Sequence, residues 1–381
     1  MLEADRIEVL DAWVCGHWIF LRVTTESGRV GFGESTYFVH PTAIPPIVED
    51  LTALYRGESP YRPEYLYQRV LKKHCMIDAA SASAVSAIDQ ALWDVKAKAL
   101  GVPVWELLGG RVRDRVRAIL LIEAASTEEM VDRARAARDE GFSALKLKPF
   151  IDNWSVQPVT AALRGVVERI TAVREAVGWD VDLAVEVHRN LAPDQAIRLG
   201  QLCEPLMLYF IEDPVQPFSL AVNQHVASGL DSTVALAERN TNIWEFRDFS
   251  DNPAVSILRP DAGLAGGFTQ LRKIAAIAES RHQRILPHNF TSPLITAAHV
   301  QLAAAIHNWD VQGYVREQRA PWNKVVTSIN AIEDGFLLIP EVPGIGIELN
   351  MDYITRHGYE PYGDKFNHIA FAAADGGVRL Q

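Results

Sequence analysis

The feature that most constrains this 381-residue sequence is a regular alternation that begins near residue 116. From there, short apolar runs alternate with amphipathic segments of helical period, and eight such runs can be counted. Strands that alternate with helices form parallel βαβ units, and eight units in about 210 residues are typical of an α/β fold, the closed (β/α)8 or TIM-type barrel. The predicted strands are residues 118–122, 144–148, 182–187, 206–212, 233–238, 255–261, 284–288 and 311–317.

The chain before the barrel has a different pattern. Residues 5–37 read as extended runs around a turn, which predicts a hairpin or meander, and residues 42–100 change to the helical period. We therefore expect an α+β capping domain that the end of the chain folds back to complete. The predicted domains are the cap in residues 1–115, the barrel in residues 116–335 and a C-terminal segment in residues 336–381.

Composition argues against several classes of function. The formal net charge is −11, with 37 Lys and Arg residues against 48 Asp and Glu residues, which disfavours binding to nucleic acid or to an anionic membrane. The N-terminus shows no apolar signal segment, and no uncharged apolar run is long enough to span a membrane. Three widely separated cysteines argue against a disulfide framework and fit a reducing cytoplasm. We expect a cytoplasmic protein with a small-molecule partner.

Polar residues end the predicted strands from the third onward, at intervals of 23 to 29 residues: Glu186, Glu212, Glu238, Asp261, His288 and Glu317. That interval is the length of one βα module, so these side chains should meet at one rim of the barrel. Neighbouring carboxylates in a partly dry site repel unless a cation neutralises them. Since carboxylate oxygens are hard ligands, Glu186, Glu212 and Glu238 are predicted to bind one Mg²⁺, with Mn²⁺ second. The competing interpretation, that each glutamate caps a helix, explains one of them but not three at matching intervals.

Alternate positions of a strand share a face, which pairs Lys146 with Lys148 and Glu186 with His188. Two lysines that face the interior of a barrel are not explained by apolar packing of the core. Neighbouring ammonium groups depress each other's pKa, so Lys148 is a candidate general base. The alternative is an exposed strand edge that carries both lysines.

A second candidate base ends the seventh predicted strand. His288 follows Pro287, and Asp261 ends the sixth predicted strand, so adjacent strands could set a carboxylate against the imidazole. Such a pair fixes the tautomer and raises the basicity of the histidine. Taken alone, His288 would be interpreted as a hydrogen-bonded loop residue, so the assignment depends on the pairing.

Several motifs together resemble the mandelate racemase branch of the enolase superfamily over essentially the whole chain. They are residues 86–94 (Ser-Ala-Ile-Asp-Gln-Ala-Leu-Trp-Asp) with Lys96, Gly101-Val102-Pro103, Leu107-Leu108-Gly109-Gly110, Lys146-Leu147-Lys148, Glu186-Val187-His188, Glu212-Asp213-Pro214, Glu238-Arg239, Pro260-Asp261 and Gly266-Gly267. The resemblance implies a cap over a (β/α)8 barrel, with Mg²⁺ at the three glutamates. It also implies abstraction of the proton α to a carboxylate, through an enediolate that the metal stabilises.

The form Glu186-Val187-His188 is similar to that of acid-sugar dehydratases in this family. In those relatives the histidine assists departure of the 3-hydroxyl group. Lys148 and the pair of His288 with Asp261 resemble the two opposed acid/base groups of the racemase-type members. The resemblance leaves open which of them is the base.

The eighth strand departs from the family pattern. Relatives usually present a carboxylate there, hydrogen-bonded to the substrate carboxylate, often within Gln-Glu-Tyr, whereas this chain reads Gln312-Gly313-Tyr314. Either Glu317 takes that role from a displaced position or the site is altered.

Substrate contacts are expected from Lys146 and Arg259 in the barrel and from the cap. The first cap loop contains His17 and Trp18, and a second loop lies near Lys72–Cys75. His17 and Trp18 are predicted to bind substrate, although Trp18 and Phe38 can equally belong to the cap core.

The leading prediction is therefore a Mg²⁺-dependent dehydratase that converts an aldonate or aldarate to a 2-keto-3-deoxy acid. One alternative is a racemase or epimerase of a 2-hydroxy acid, with Lys148 and His288 on opposite faces of the substrate. The other is a barrel that keeps the metal site but only binds a metabolite, which Gly313 alone favours. A homo-oligomer is expected. The sugar configuration and the pathway are left open.

Overall fold

A computed structural model of the chain describes residues 4–74, 78–150, 154–360 and 375–377. The predicted second cap loop ends at Cys75, outside these residues. The strands are β1 Ile7–Cys15, β2 Trp18–Thr25, β3 Val30–Ser35, β4 Arg115–Ile122, β5 Ala144–Leu147, β6 Asp182–Glu186, β7 Ile211–Glu212, β8 Val234–Leu236, β9 Val255–Leu258, β10 Arg284–Ile285, β11 Gln312–Tyr314, β12 Ile332–Glu333 and β13 Phe336–Leu338. The helices are α1 Ile44–Tyr55, α2 Pro63–His74, α3 Ala79–Leu100, α4 Val104–Leu107, α5 Thr127–Asp139, α6 Val159–Val177, α7 Pro193–Cys203, α8 Leu220–Ser228, α9 Ile243–Ser250, α10 Gly267–Glu279, α11 Pro293–Ala305 and α12 Met351–Arg356. None of the helices in these ranges has the length and apolar character needed to cross a membrane.

The cap is a three-stranded antiparallel sheet, in the order β1–β2–β3, with helices packed on it. Helix α3 crosses β3 so closely that two glycines are required. A Cβ atom at Gly31 or Gly33 would lie 2.1 or 2.0 Å from the carbonyl oxygen of Ala91 or Ala87. The small side chains of α3 and the glycines of β3 therefore fix the position of the helix that faces the barrel.

The barrel consists of eight parallel strands, β4 to β11, as predicted. Neighbouring strands pair in sequence order from β4 to β10, and β11 pairs with β4 to close the ring. Between β10 and β11, a parallel bridge joins Ile285 to Trp309. A buried apolar layer fills the interior with one residue from each strand or its immediate flank: Ile119, Ala144, Ala184, Phe210, Ala235, Ile257, Leu286 and Val311.

Several strands are shorter than predicted. Glu238, Asp261, His288 and Glu317 lie beyond the last paired residue of β8, β9, β10 and β11. Apolar residues continue past these strand ends because the rim is buried beneath the cap, and burial does not require strand pairing. At β8 the backbone leaves the extended conformation at Ala237, whose φ is +85°.

The described part of the C-terminal segment contacts both domains. Strand β13 pairs antiparallel with β4, where Leu337 lies opposite Val116. Farther along, the Gly16 amide donates to the Gly358 carbonyl at 2.9 Å, and the Glu360 amide donates to the Gly16 carbonyl at 3.0 Å. The segment therefore holds the turn between β1 and β2. Its predicted remainder, residues 361–374 and 378–381, lies outside the described residues.

Three buried carboxylates, Glu34, Asp89 and Asp94, lie where the cap meets the barrel and the C-terminal segment; we call them the seam carboxylates. Glu34 accepts from the amide and hydroxyl of Ser292, the residue that caps α11. Asp89 accepts from the Thr269 amide at 3.0 Å.

Asp94 accepts from the amides of Phe32 (3.0 Å) and Ile345 (2.8 Å) and pairs with Lys98 (2.8 Å). Burial is the main cause that raises the pKa of all three seam carboxylates, to about 8 for Glu34 and about 7 for Asp89. Their partners are mostly neutral donors, so burial decides the direction in which their pKa values shift.

Candidate active site

A cavity of about 380 Å³ lies at the C-terminal ends of the barrel strands, beneath the cap. Most of the residues predicted for the site line it: His17, Lys146, Lys148, Glu186, His188, Glu238, Arg259 and His288. Glu212 and Asp261 are buried directly behind this lining and contact it. The alternation of inward-facing residues therefore places most predicted groups at one rim, as a barrel requires.

Lys146 joins two of the three glutamates that we call the site carboxylates, Glu186, Glu212 and Glu238. Its Nζ lies 3.0 Å from Glu186 Oε2 and 2.7 Å from Glu212 Oε1. Burial lowers the pKa of Lys146, but the charges of Glu212 and Glu186 outweigh it and raise that pKa overall. The expectation that the two lysines make each other neutral is therefore wrong for Lys146, because the nearest charges are carboxylates.

Arginines hold the other side of this cluster. The Arg259 side chain is 1% exposed, and its Nη2 lies 2.8 Å from Glu212 and 3.7 Å from Glu238. Arg189 donates to Glu238 through Nη1, which also lies 3.5 Å from Asp213. Arg259 was predicted to bind substrate; its described contacts are with Glu212, Glu238 and the Leu286 carbonyl.

The donor set fits a divalent cation. Burial raises the pKa of Glu212 well above its usual value, and Glu186 adds to this although Arg259 and Lys146 oppose it. Lys146 lowers the pKa of Glu186, and His288 with the arginines lowers that of Glu238, both against burial. Three carboxylate side chains close to one another supply the hard oxygen ligands that Mg²⁺ prefers. Among the described residues, no three His, Cys, Asp or Glu side chains already have a metal-binding arrangement.

The predicted pairing of His288 with Asp261 is present. His288 Nδ1 lies 2.7 Å from Asp261 Oδ2, while Nε2 lies 3.9 Å from Glu238. Asp261 is fixed in turn, since its Oδ1 accepts from the Gly263 amide at 2.6 Å and from the Thr36 hydroxyl of the cap at 3.0 Å. A carboxylate bonded to Nδ1 selects the tautomer whose Nε2 carries the lone pair, and His288 itself lines the cavity.

His188 reaches the cavity through a left-handed turn rather than along the strand. Strand β6 ends at Glu186, and His188 and Arg189 have φ values of +55° and +64°. The turn brings His188 Nε2 to 2.9 Å from Arg189 Nη2, and the His188 amide donates to Glu186 Oε1 at 3.1 Å. Burial first, with Arg189 and Lys148, lowers the pKa of His188 to about 3. The imidazole is therefore neutral at pH 7 in this arrangement.

Lys148 has a partner that the sequence analysis missed. Its Nζ forms an ion pair with Glu123, the residue directly after β4, and lies 5.1 Å from the centre of the Phe290 ring. The ammonium group is thus engaged, whereas the proton-accepting nitrogen of His288 faces the cavity.

Two predicted site residues lie elsewhere. Trp18 is 2% exposed and packs against Trp322 with ring centroids 5.5 Å apart, which is the core placement that the sequence analysis gave as its alternative. Glu317 is fully buried outside the cavity lining and accepts from the Asn330 side chain at 2.9 Å. Since β11 ends at Tyr314, the chain has already turned away when it reaches Glu317, and this residue does not replace the missing carboxylate at Gly313.

Sequence reasoning also missed Arg189 and Glu123. A usable signal existed for Glu123, because Ile119, Leu121 and Glu123 alternate along one face of the first strand and all line the cavity. For Arg189 the signal was weaker, since only the left-handed turn after β6 directs it toward Glu238.

Comparison with known proteins agrees with this architecture. Residues 15–109 match the model of the mandelate racemase/muconate lactonizing enzyme N-terminal domain, and residues 129–353 match the enolase C-terminal domain-like model. A D-galactonate dehydratase of Variovorax paradoxus is 30% identical over 96% of this chain and 97% of its own length. A D-xylonate dehydratase of Haloferax volcanii is 32% identical over 94% and 90%. A solved structure from Agrobacterium radiobacter, described as a proposed galactarate dehydratase with bound sodium and L-malate, superposes with a TM-score of 0.86 at 28% identity, over 93% of this chain and 95% of that one.

Proposed function

Because the chain belongs to the mandelate racemase/muconate lactonizing enzyme branch of the enolase superfamily, we propose that it is an acid-sugar dehydratase. The reaction would remove water from a 2,3-dihydroxy carboxylate and give a 2-keto-3-deoxy acid. The relatives named as dehydratases of galactonate and xylonate support this reaction class. The observation that carries the proposal is that two histidines, His188 and His288, line the same cavity as Glu186 and Glu238.

His288 is the proposed base. Its Nε2 would take the proton from the α-carbon, and Asp261 would stabilise the imidazolium that forms. Lys148 is less suited to this step while its ammonium group is paired with Glu123. Lys146 and Arg259, which both line the cavity, would offset part of the negative charge that develops on the substrate carboxylate.

His188 is the proposed acid. It would protonate the departing 3-hydroxyl group, because hydroxide alone is a poor leaving group. The neutral imidazole must first gain a proton, and the negative charge of a bound substrate favours that gain. Loss of water then leaves an enol, which becomes the 2-keto-3-deoxy acid, so one proton has moved from carbon to His288 and another from His188 to the leaving oxygen.

Glu186, Glu212 and Glu238 are the residues that would hold Mg²⁺. When bound, the cation would neutralise part of the negative charge on the substrate carboxylate as the α-proton leaves. The chain's own residues would keep that carboxylate beside Lys146 and keep His188 and His288 directed at neighbouring carbons.

A library of acid sugars tests the proposal. The purified protein with Mg²⁺ is incubated with aldonates and aldarates of each configuration, and 2-keto acid is measured by a carbonyl assay and NMR. Formation of a 2-keto-3-deoxy acid from at least one of them is expected. Interconversion of C2 epimers without loss of water would indicate a racemase, and absence of any conversion would indicate a barrel that only binds its ligand.

A further inference from the structure

Glu123 extends the inner face of the first barrel strand into the cavity. Positions 119, 121 and 123 alternate inward, so Ile119 and Leu121 line the cavity and Glu123 continues the row at the rim. Its side chain remains 49% exposed, which leaves carboxylate surface available for a ligand.

Lys148 lies beside Glu123 on the cavity wall. Its amide donates to the Ile122 carbonyl at 3.1 Å, which ties the end of β5 to the end of β4 and sets Lys148 beside Glu123. The two side chains form an ion pair, and the Phe290 ring lies 5.1 Å from the ammonium nitrogen. An acceptor and a donor are therefore fixed side by side on the cavity wall.

On the other side of β4, the neighbouring strand β11 lines the cavity with Gly313, which has no side chain, and with Tyr314. A Cβ atom placed on Gly313 would contact Asn289 and Pro287 at an ordinary distance of 3.6 Å, so glycine leaves room there for about one methyl group. Because β11 pairs with β4, this space adjoins the strand that carries Glu123.

Glu123 also stands apart from the other acids of the cavity. Among the described residues that line it, the acidic ones are Glu123, Glu186 and Glu238. Glu186 is held by Lys146 of the second barrel strand, and Glu238 by Arg189 and Arg259, which follow the third and sixth barrel strands. In an eight-stranded barrel, the first strand lies opposite the fifth, so Glu123 faces Glu238 from across the cavity.

We propose that Glu123 and Lys148 recognise hydroxyl groups of the substrate and make the enzyme select aldonates over aldarates, an inference that rests on the proposed dehydratase function. A hydroxyl group can donate to Glu123 and accept from Lys148 at once. A second carboxylate at the same place would meet the charge of Glu123, and Lys148 is already neutralised by that charge. Like charges brought together across a binding site give discrimination by repulsion.

Pairs of substrates that differ only at the far carbon test this inference, for example D-galactonate and galactarate. For the wild-type enzyme, we expect kcat/KM for the preferred aldonate to exceed that for its aldarate by about 100-fold or more. E123Q should raise kcat/KM for the aldarate at least about 10-fold and lower that for the aldonate, mainly through KM. E123A provides a second variant if the amide side chain repacks.

The matched control is E140Q. Glu140 is similarly exposed, at 47%, pairs with Arg316 and lines only an adjoining cavity, so its substitution should leave the ratio unchanged. The inference is overturned if the wild type prefers the aldarate, or if both Glu123 variants keep the wild-type ratio. It is also overturned if E123Q lowers kcat and exchange of the α-hydrogen in D₂O without changing KM, since Glu123 would then act on a catalytic Lys148. If the wild type dehydrates neither class, the proposed function itself has failed.

Discussion

The seam carboxylates and the site carboxylates are equally buried, but they differ in what surrounds them. Glu34 and Asp89 accept from amides and hydroxyls, which are neutral, so burial keeps their pKa values high. Glu186 and Glu238 face Lys146, Arg189 and other cations, which lower their pKa values against the same burial. Charged partners therefore distinguish Glu186 and Glu238 from Glu34 and Asp89, whereas the pKa of Glu212 stays raised because burial and the charge of Glu186 outweigh Arg259 and Lys146.

The largest effect is expected from the site carboxylates. Glu238→Gln should cut kcat/KM by about 10³-fold or more, because it removes a charged ligand of the proposed Mg²⁺ and a partner of Arg189. Excess EDTA should abolish wild-type activity, and added Mg²⁺ should restore it. Steady-state rates and thermal unfolding are measured together. Full activity in EDTA would contradict the metal assignment.

His288→Asn should lower kcat by about 10²- to 10⁴-fold, as expected for loss of a general base. Exchange of the substrate α-hydrogen with D₂O, followed by NMR, should be lost to the same extent. Lys148→Met is the comparison: it should weaken binding more than it slows exchange. The opposite result, slow exchange only in the lysine variant, would exchange the roles of the two residues.

His188→Asn should separate the two halves of the reaction. The base remains, so exchange of the α-hydrogen with D₂O should continue, while keto acid formation should fall by about 10²-fold or more. NMR follows the exchange and a carbonyl assay follows the product. Keto acid formation at the wild-type rate would show that His188 only binds substrate.

A seam carboxylate should affect stability rather than catalysis. Asp94→Ala leaves Lys98 and the amides of Phe32 and Ile345 without their carboxylate partner, and we expect a loss of about 3 to 5 kcal/mol in the free energy of unfolding. For protein that remains folded, kcat/KM should change by less than about 10-fold, since Asp94 lies outside the cavity lining. Denaturant unfolding measures the loss of stability, and steady-state rates measure kcat/KM. If Asp94→Ala lost activity without losing stability, the distinction between the seam carboxylates and the site carboxylates would be contradicted.

The last comparison concerns the pH dependence of stability. The folded pKa of Glu34, about 8, lies above its unfolded value, so the folded protein keeps a proton that the unfolded chain releases. This group's contribution to stability is therefore highest in acid and falls as pH rises from about 4.5 to 8, by at most about 1.4 kcal/mol per pH unit. Glu34→Gln should remove that slope, measured as the wild-type minus variant difference in unfolding free energy. A difference independent of pH would contradict the assignment.

The sequence was sufficient for the barrel and for the site carboxylates because both depend on local period. Glu186 and Glu212 end their strands, and the βα interval then requires a common rim. The order of strands was likewise accessible, since consecutive βαβ units leave little choice of topology.

What the sequence missed depends on the backbone beyond the strand ends. Arg189 reaches Glu238 only because two left-handed residues reverse the chain after β6. Glu317 seemed to end the eighth strand, but pairing stops at Tyr314 and the side chain turns to Asn330. Trp18 and His17 are adjacent residues with opposite placements, one in the core and one at the cavity, which the apolar pattern of the cap did not distinguish.

The backbone hydrogen bonds that join Gly358 and Glu360 to Gly16 bear on the order in which parts of the chain fold. Gly16 precedes His17, the cap residue at the cavity, but the backbone that secures this turn follows the whole barrel in sequence. During synthesis, the cap sheet and the barrel can form while that turn still lacks its late neighbour. We therefore expect the turn before His17 to take its final position only when the end of the chain is present, so that shortening the chain before Gly358 would alter the cap side of the cavity first.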